Sequence, residues 1–191
     1  MVSKKSKILF IGGAPAVGKS TMGKALAFQD INTYYSDGDF VRDAVLSSFP
    51  GSIPPEYSKS FFSSSTEEFL EQCKLVVPPM IVAAKKRLLR GKEDTVVVEG
   101  MHLIPGLIPT YDSEVDLGQV ILTLPKSELR RRLIKRSFEE DKRPYMREDI
   151  EGKVESSCEF QKYLIAMAEQ YGIQTIENIS PIEKVIATSG L

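Results

Sequence analysis

Soft metal-ligating side chains are scarce in this sequence: two cysteines, Cys73 and Cys158, and one histidine, His102, in 191 residues. There is no CxxC pair and no His/Cys cluster, which excludes a zinc site of that kind and any disulfide framework. Long apolar runs are missing as well. No stretch approaches the length of a membrane span. The run behind the basic stretch Met1 to Lys7 is only Ile8 to Ile11, too short for a signal-peptide core. The expected location is the cytoplasm, where the sequon Asn178-Ile179-Ser180 has no meaning. An excess of one charge is also lacking. Lys and Arg number 25 against 26 Asp and Glu, a formal net charge of −1. No global field draws such a chain to nucleic acid or to an anionic membrane, so any anion site must be a local gathering of cations. Repeats and low-complexity tracts are absent.

What is present is ordinary for a globular protein: 42% hydrophobic and 27% charged residues. The length suits one domain over 1–191 and leaves little room for a second. Short apolar runs at Ile8–Ile11, Thr33–Ser36, Thr95–Val98, Val120–Leu124 and Ile173–Ile176 read as strands. Between them lie helical patterns from Gly18, Phe40, Thr66, Lys126 and Ile150. Pro181 opens a short terminal helix. Pro78-Pro79 is expected to break or kink the third of these helices. Strands alternating with helices predict an α/β fold, a five-stranded parallel sheet with helices on both faces. Residues 48–65, rich in proline and serine, read as a long surface excursion.

Gly13-Ala14-Pro15-Ala16-Val17-Gly18-Lys19-Ser20 fits G-x-x-x-x-G-K-[ST] at every fixed position, behind a strand and ahead of a helix. The glycines permit a loop whose amides all point inward at phosphate. The helix that follows adds the positive end of its dipole. Lys19 can reach β and γ oxygens, and Ser20 offers a hydroxyl to Mg²⁺. This predicts nucleotide binding.

In open α/β sheets ligands sit at the carboxyl ends of strands, and two strands here end in acid. Glu99 stands where it could hold Mg²⁺ directly or through water, or merely cap a nearby N–H. Asp37-Gly38-Asp39 is either a turn with an N-cap or a pair of carboxylates at an acceptor site, one of which takes or orients the proton of an attacking hydroxyl. Arg130, Arg131, Arg132, Lys135 and Arg136 crowd one helix, and Arg143 follows. They read either as a lid over 137–149 that excludes water and neutralises the moving phosphoryl, or as a solvated face paired with Glu139, Glu140 and Asp141. His102, just past Glu99, is either structural or part of the site.

With these residues in place, Val98-Glu99-Gly100-Met101-His102-Leu103-Ile104-Pro105-Gly106 resembles the E-G-x-H-L-x-P-G segment of archaeal 2-phosphoglycerate kinases. Lys19-Ser20-Thr21, the D-x-x-R of Asp39 and Arg42, Phe69-Leu70-Glu71-Gln72, and Arg132 with Arg136 resemble further segments of that family, nearly along the whole chain. The resemblance implies a P-loop kinase-like three-layer α/β/α domain with a helical lid. It implies transfer of the γ-phosphoryl of ATP to the hydroxyl of 2-phosphoglycerate. Lys19, Ser20 and Thr21 would hold ATP and Mg²⁺, with Arg132 at the nucleotide. Asp39 would handle the acceptor hydroxyl, beside Asp37 and Glu99. Arg42 and His102 would meet the acceptor's phosphate or carboxylate, and Arg136 and Arg143 would clamp the phosphoryl in flight. The excursion 48–65 would build the acceptor side. Two departures stand out. Leu129 occupies a place where the family often has histidine. The chain also starts close to its first strand, where longer members carry a regulatory region, so no built-in nucleotide regulation is expected. A nucleoside or nucleotide kinase of the same architecture, and an ATPase or switch acting through a protein partner, are the competing readings. In each kinase reading the partner is a small phosphate acceptor, not nucleic acid or membrane.

Overall fold

The computed structural model describes residues 6–48, 54, 57, 59–140 and 149–179. Five parallel strands form one sheet in the order β2-β3-β1-β4-β5: β1 Lys7–Gly13, β2 Thr33–Asp37, β3 Thr95–Glu99, β4 Asp116–Thr123 and β5 Gln174–Glu177. The helices are α1 Lys19–Gln29, α2 Gly38–Ser48, α3 Thr66–Leu88, α4 Lys126–Lys135 and α5 Ile150–Tyr171. A π-helical turn, Arg136–Glu140, extends α4.

Two faces follow from the pleat, since successive strand residues point to opposite sides. Leu9, Ile11 and Val97 pack with Met22 of α1, Leu129 and Leu133 of α4 and Leu164 of α5. Ile8, Phe10, Val96 and Val98 pack with Val76, Val77, Met80 and Ala84 of α3, and Val41 and Val45 of α2 lie against them. The result is three layers, α/β/α, with β1 at the centre. Each fully buried Ile, Leu or Phe here contributes about 1.5–3 kcal/mol. Leu129, at the departure from the resembled family, is one of these core side chains.

The proline pair does not interrupt α3, which runs unbroken for 23 residues. The reason is where the missing N–H groups fall. Pro78 is exposed and Pro79 half-buried, while their neighbours Val76, Val77 and Met80 are buried. The carbonyls left without a donor one turn earlier belong to Lys74 and Leu75, both exposed to water. Packing of the apolar stripe holds the rest. At its start Ser65 accepts from Glu68 N while Glu68 accepts from Ser65 N, a reciprocal cap. Among the described residues, no helix is long and apolar enough to cross a membrane.

Candidate functional site

The loop after β1 closes over the start of α1. Its backbone turns through positive φ at Gly13 (147°), Ala16 (65°) and Gly18 (97°). A side chain on Gly13 would meet the Leu122 carbonyl at 2.7 Å, so only glycine lets the loop pass β4 so closely. The loop is also held from outside. The Val17 carbonyl accepts from Asn178 Nδ2 at 2.7 Å and from Arg132 Nη1 at 3.4 Å. Arg132 also donates to Asn178 O and to Glu128.

Lys19 is buried, and its Nζ donates to Ala14 O at 2.9 Å within the same loop. Burial pulls its pKa below the ordinary lysine range, Arg136 adds to this, and Glu99, Asp39 and Asp37 oppose it. Next to it, Ser20 Oγ and Tyr35 Oη both donate to Glu99 Oε1 at 2.9 Å. The sheet register explains this meeting: Tyr35 pairs with Val97 and Asp37 with Glu99, so all four lie on the α1 face. Burial raises the Glu99 pKa, against the opposing pull of Lys19 and of the two hydroxyls. Burial and the Glu99 carboxylate push the Tyr35 hydroxyl well above the usual tyrosine range.

Asp37 and Asp39 have different jobs. Asp37 Oδ1 accepts from the main-chain N–H of Asp39 at 2.9 Å and of Phe40 at 3.4 Å, and so caps α2. The capping role considered for Asp39 therefore belongs to Asp37. The Asp39 side chain accepts no hydrogen bond among the described residues, and it lines a cavity of about 650 Å³ together with Lys19, Ser20, Glu99, Arg42 and Arg136. Burial raises the Asp39 pKa, with Lys19 and Arg42 opposing. Asp37 is not among the residues lining that cavity.

The far wall of the cavity comes from Phe61, Phe62 and the serines around them, and from the first turn of α5. Phe61 sits in an aromatic cluster with Phe69 and Phe160, ring centres 5.1 Å away in each case. Asp149, in a left-handed conformation, caps α5 by accepting from Gly152 N at 3.0 Å. An adjoining cavity of about 570 Å³ lies on the outer side of the loop, between Gly18, Thr21, Arg132 and Asn178, and it shares Lys19, Ser20 and Arg136 with the first. Arg130 pairs with Glu151 and Arg131 with Glu128. Those two arginines are exposed and pair with these acids, while the side chains of Glu139, Glu140 and Asp141 lie outside the described residues.

His102 is 1% exposed, and burial, with Arg42 and Lys19 nearby, lowers its pKa to about 3. Its burial favours the neutral imidazole. Arg143 lies outside the described residues.

A family model described as AAA domain matches residues 9–155. The chain belongs to the AAA domain family. As an AAA-domain chain it is 26% identical to a 2-phosphoglycerate kinase of Pyrococcus furiosus and 26% identical to one of Methanococcus vannielii, alignments that take in 95% and 97% of it. It spans 62% and 64% of the length of those relatives. The resemblance read from the Glu99–Gly106 string thus extends along the chain. Among solved structures it is similar to a shikimate kinase of Bacteroides thetaiotaomicron, with a TM-score of 0.55 at 14% identity over 96% of this chain and 98% of that one. It is also similar to a gluconokinase of Sinorhizobium meliloti 1021, with a TM-score of 0.53 at 16% identity over 96% and 88%. These two likenesses establish the fold, the parallel α/β arrangement read from the sequence.

Three residues of the AAA-domain chain that sequence reasoning did not assign to the site belong there. Gln72, buried, bonds both Arg42 and His102. Its signal was a polar residue on the apolar stripe of Phe69, Cys73 and Val76. Tyr35 orients Glu99, and Asn178, at the carboxyl end of the last strand, holds the phosphate loop.

Proposed function

We propose that the chain is an ATP-dependent kinase that transfers the γ-phosphoryl group to the hydroxyl of a small phosphorylated acid, 2-phosphoglycerate before others, giving 2,3-bisphosphoglycerate in the cytoplasm. The observation that carries this reading is the convergence of Lys19, Asp39, Arg42 and Arg136 on one cavity at the mouth of the phosphate loop. A switch or ATPase needs the loop but not an acceptor cavity with its own carboxylate and guanidinium. The names of the relatives support the choice of acceptor.

In this reading the loop amides and Lys19 grip the β and γ phosphates. The adenosine end lies in the second cavity, against Arg132 and Thr21. Ser20 Oγ and Glu99 Oε1 are hard oxygens that already touch, a donor set that suits Mg²⁺ completed by phosphate and water. When bound, the ion neutralises charge on the phosphates. Asp39 accepts the proton of the attacking hydroxyl. Burial suits it to this, because a carboxylate with a raised pKa is a better base. Arg42 holds an anionic group of the acceptor, and Arg136, which reaches both cavities, meets the phosphoryl between donor and acceptor.

The test is an acceptor panel with purified protein, Mg²⁺ and ATP, read as ADP formed. Turnover with 2-phosphoglycerate and none with nucleosides or nucleoside monophosphates is expected. Turnover of a nucleoside or nucleotide alone would make this a nucleotide-pathway kinase. Slow hydrolysis without any acceptor, stimulated by a protein, would make it a switch.

A further inference from the structure

Gln72 is 1% exposed, on the buried side of α3. Its Nε2 donates to the main-chain oxygen of Lys59 at 3.1 Å and to that of Tyr57. Its Oε1 accepts from Arg42 Nε at 3.1 Å and lies 2.9 Å from His102 Nε2. The partners dictate which end is which. Main-chain carbonyls only accept, so the end facing Tyr57 and Lys59 is the NH₂. An arginine Nε–H only donates, so the other end is the oxygen. Turning the amide over would set N–H against N–H at Arg42 and oxygen against two oxygens at Tyr57 and Lys59.

Arg42 closes a ring. Its Nη2 donates at 3.1 Å to the same Lys59 oxygen that Gln72 Nε2 reaches. A guanidinium is planar and rigid, so bonds at Nε and Nη2 set the whole plane. The third nitrogen, Nη1, donates to Asp43 Oδ1 at 2.6 Å. The partners on the two sides differ in kind. On one side stand a buried amide and a main-chain oxygen. On the other stands a carboxylate side chain that is 67% exposed and lines the cavity with Arg42, Gln72 and Asp39. An ion pair with so open a partner is worth little. A ligand anion can replace Asp43 at Nη1 and leave the Gln72 side undisturbed.

We propose that Gln72 is a positioning residue that fixes the Arg42 guanidinium so that its Nη1 side receives the carboxylate of the acceptor, which displaces Asp43. The group is a carboxylate because that is what the position accommodates already. The substrate class is an acid with its carboxylate near the reacting hydroxyl. An unanchored arginine loses rotamer freedom when it grips a ligand. Arg42 has lost it beforehand, so the acceptor meets a pre-set fork. That the carboxylate belongs to a phosphoryl acceptor rests on the kinase reading above; the hold of Gln72 on Arg42 does not.

The test compares KM for 2-phosphoglycerate and for ATP. Gln72→Met, which lacks both polar ends, should raise the KM for 2-phosphoglycerate about tenfold or more, the worth of one hydrogen bond to a charged group, and leave that for ATP unchanged. Arg42→Lys should also raise it, and adding Gln72→Met to Arg42→Lys should cost nothing further, because Gln72 acts through Arg42. Asp43→Asn removes the competing carboxylate and should lower the KM for 2-phosphoglycerate. Glycerol 2-phosphate has a hydroxymethyl in place of the carboxylate. By calorimetry it should bind the wild type more weakly than 2-phosphoglycerate and be indifferent to Gln72→Met. A wild-type KM in Gln72→Met, losses that add in the double variant, or a rise in both KM values would overturn the proposal. Equal sensitivity of the two phosphate esters to Gln72→Met would overturn the assignment to the carboxylate. Should Gln72→Met not fold, Asp43→Asn decides, and a KM that stays or rises overturns the proposal. If the wild type phosphorylates no acid, the kinase reading and the acceptor's carboxylate fail together. The Arg42 Nε–H signal in ¹H–¹⁵N spectra, identified by its loss in Arg42→Lys, then decides the hold of Gln72 alone: it moves in Gln72→Met if the bond exists and stays if it does not.

Discussion

At Gly38 the start of α2 passes close to the end of β3. A Cβ placed there would lie 2.3 Å from the Glu99 carbonyl oxygen and 3.3 Å from Glu99 C and Gly100 Cα. None of these is a side chain that can rotate away. Ordinary contact begins at 3.4 Å. Gly38→Ala therefore forces the start of α2 and the end of β3 apart by about 1 Å, an overpacking that costs about 1–3 kcal/mol. At this chain length each kcal/mol lowers the melting temperature by about 2–4 °C. The displacement also carries Asp39 one way and Glu99 the other. A misplacement of that size costs about 100-fold in turnover. The assay is a thermal melt with kcat measured on 2-phosphoglycerate and ATP. The control is Gly91→Ala, where φ is +71° but nothing lies within 4 Å of the added carbon. It should lose about 1–2 kcal/mol from left-handed strain and keep its kcat. A Gly38→Ala protein with wild-type melting and turnover would refute the reasoning, as would a Gly91→Ala protein equally crippled in kcat.

Three other variants probe the charges. Lys19→Ala should lower kcat by orders of magnitude with little change in melting by circular dichroism, because burial already disfavours the ammonium it removes. Asp39→Asn should reduce kcat while calorimetry shows ATP bound as before; a pure loss of ATP affinity would move Asp39 out of the acceptor site. Glu99→Gln keeps both hydroxyl donors and discards a charge whose burial outweighs the pull of Lys19, so in EDTA without nucleotide it should be more stable than wild type at pH 8. The sign follows from linkage. A carboxyl whose folded pKa is raised contributes stability below its unfolded value, 4.5, and loses it as pH rises through the folded one. The advantage of Glu99→Gln in urea unfolding should therefore vanish at acidic pH and grow upward from there. A variant less stable than wild type at pH 8 would contradict it.

Much of this was legible in order along the chain. Ile8–Ile11, the glycines at 13 and 18, and the acid after Thr95–Val98 each announce themselves within a few residues. Local spacing is enough for strand, loop and strand end. The Gln72 node was not legible, because its partners come from α2, from the segment near 57–59 and from the turn after β3. His102 lies 30 residues away, and the Asn178 contact to Val17 spans 161. Such pairings exist only once the sheet order is known. Pro78-Pro79 misled for the opposite reason. The local rule was sound, but it takes no account of which residues lose a donor, and here Lys74 and Leu75 are exposed. Asp37 and Asp39, two apart, could not be told apart by type. The turn of α2 separates them, giving one to the backbone and the other to the cavity.

Lys19 donates to the carbonyl of Ala14 in the very loop it serves. A nucleotide therefore meets an occupied ammonium, and capture is an exchange of partners rather than a new bond. A small monovalent anion gains little by that trade. A chelating polyphosphate, which offers several oxygens at once to lysine and amides together, gains much. The loop's own carbonyl thus acts as a built-in competitor, a threshold that sets the cradle against the orthophosphate dissolved around it.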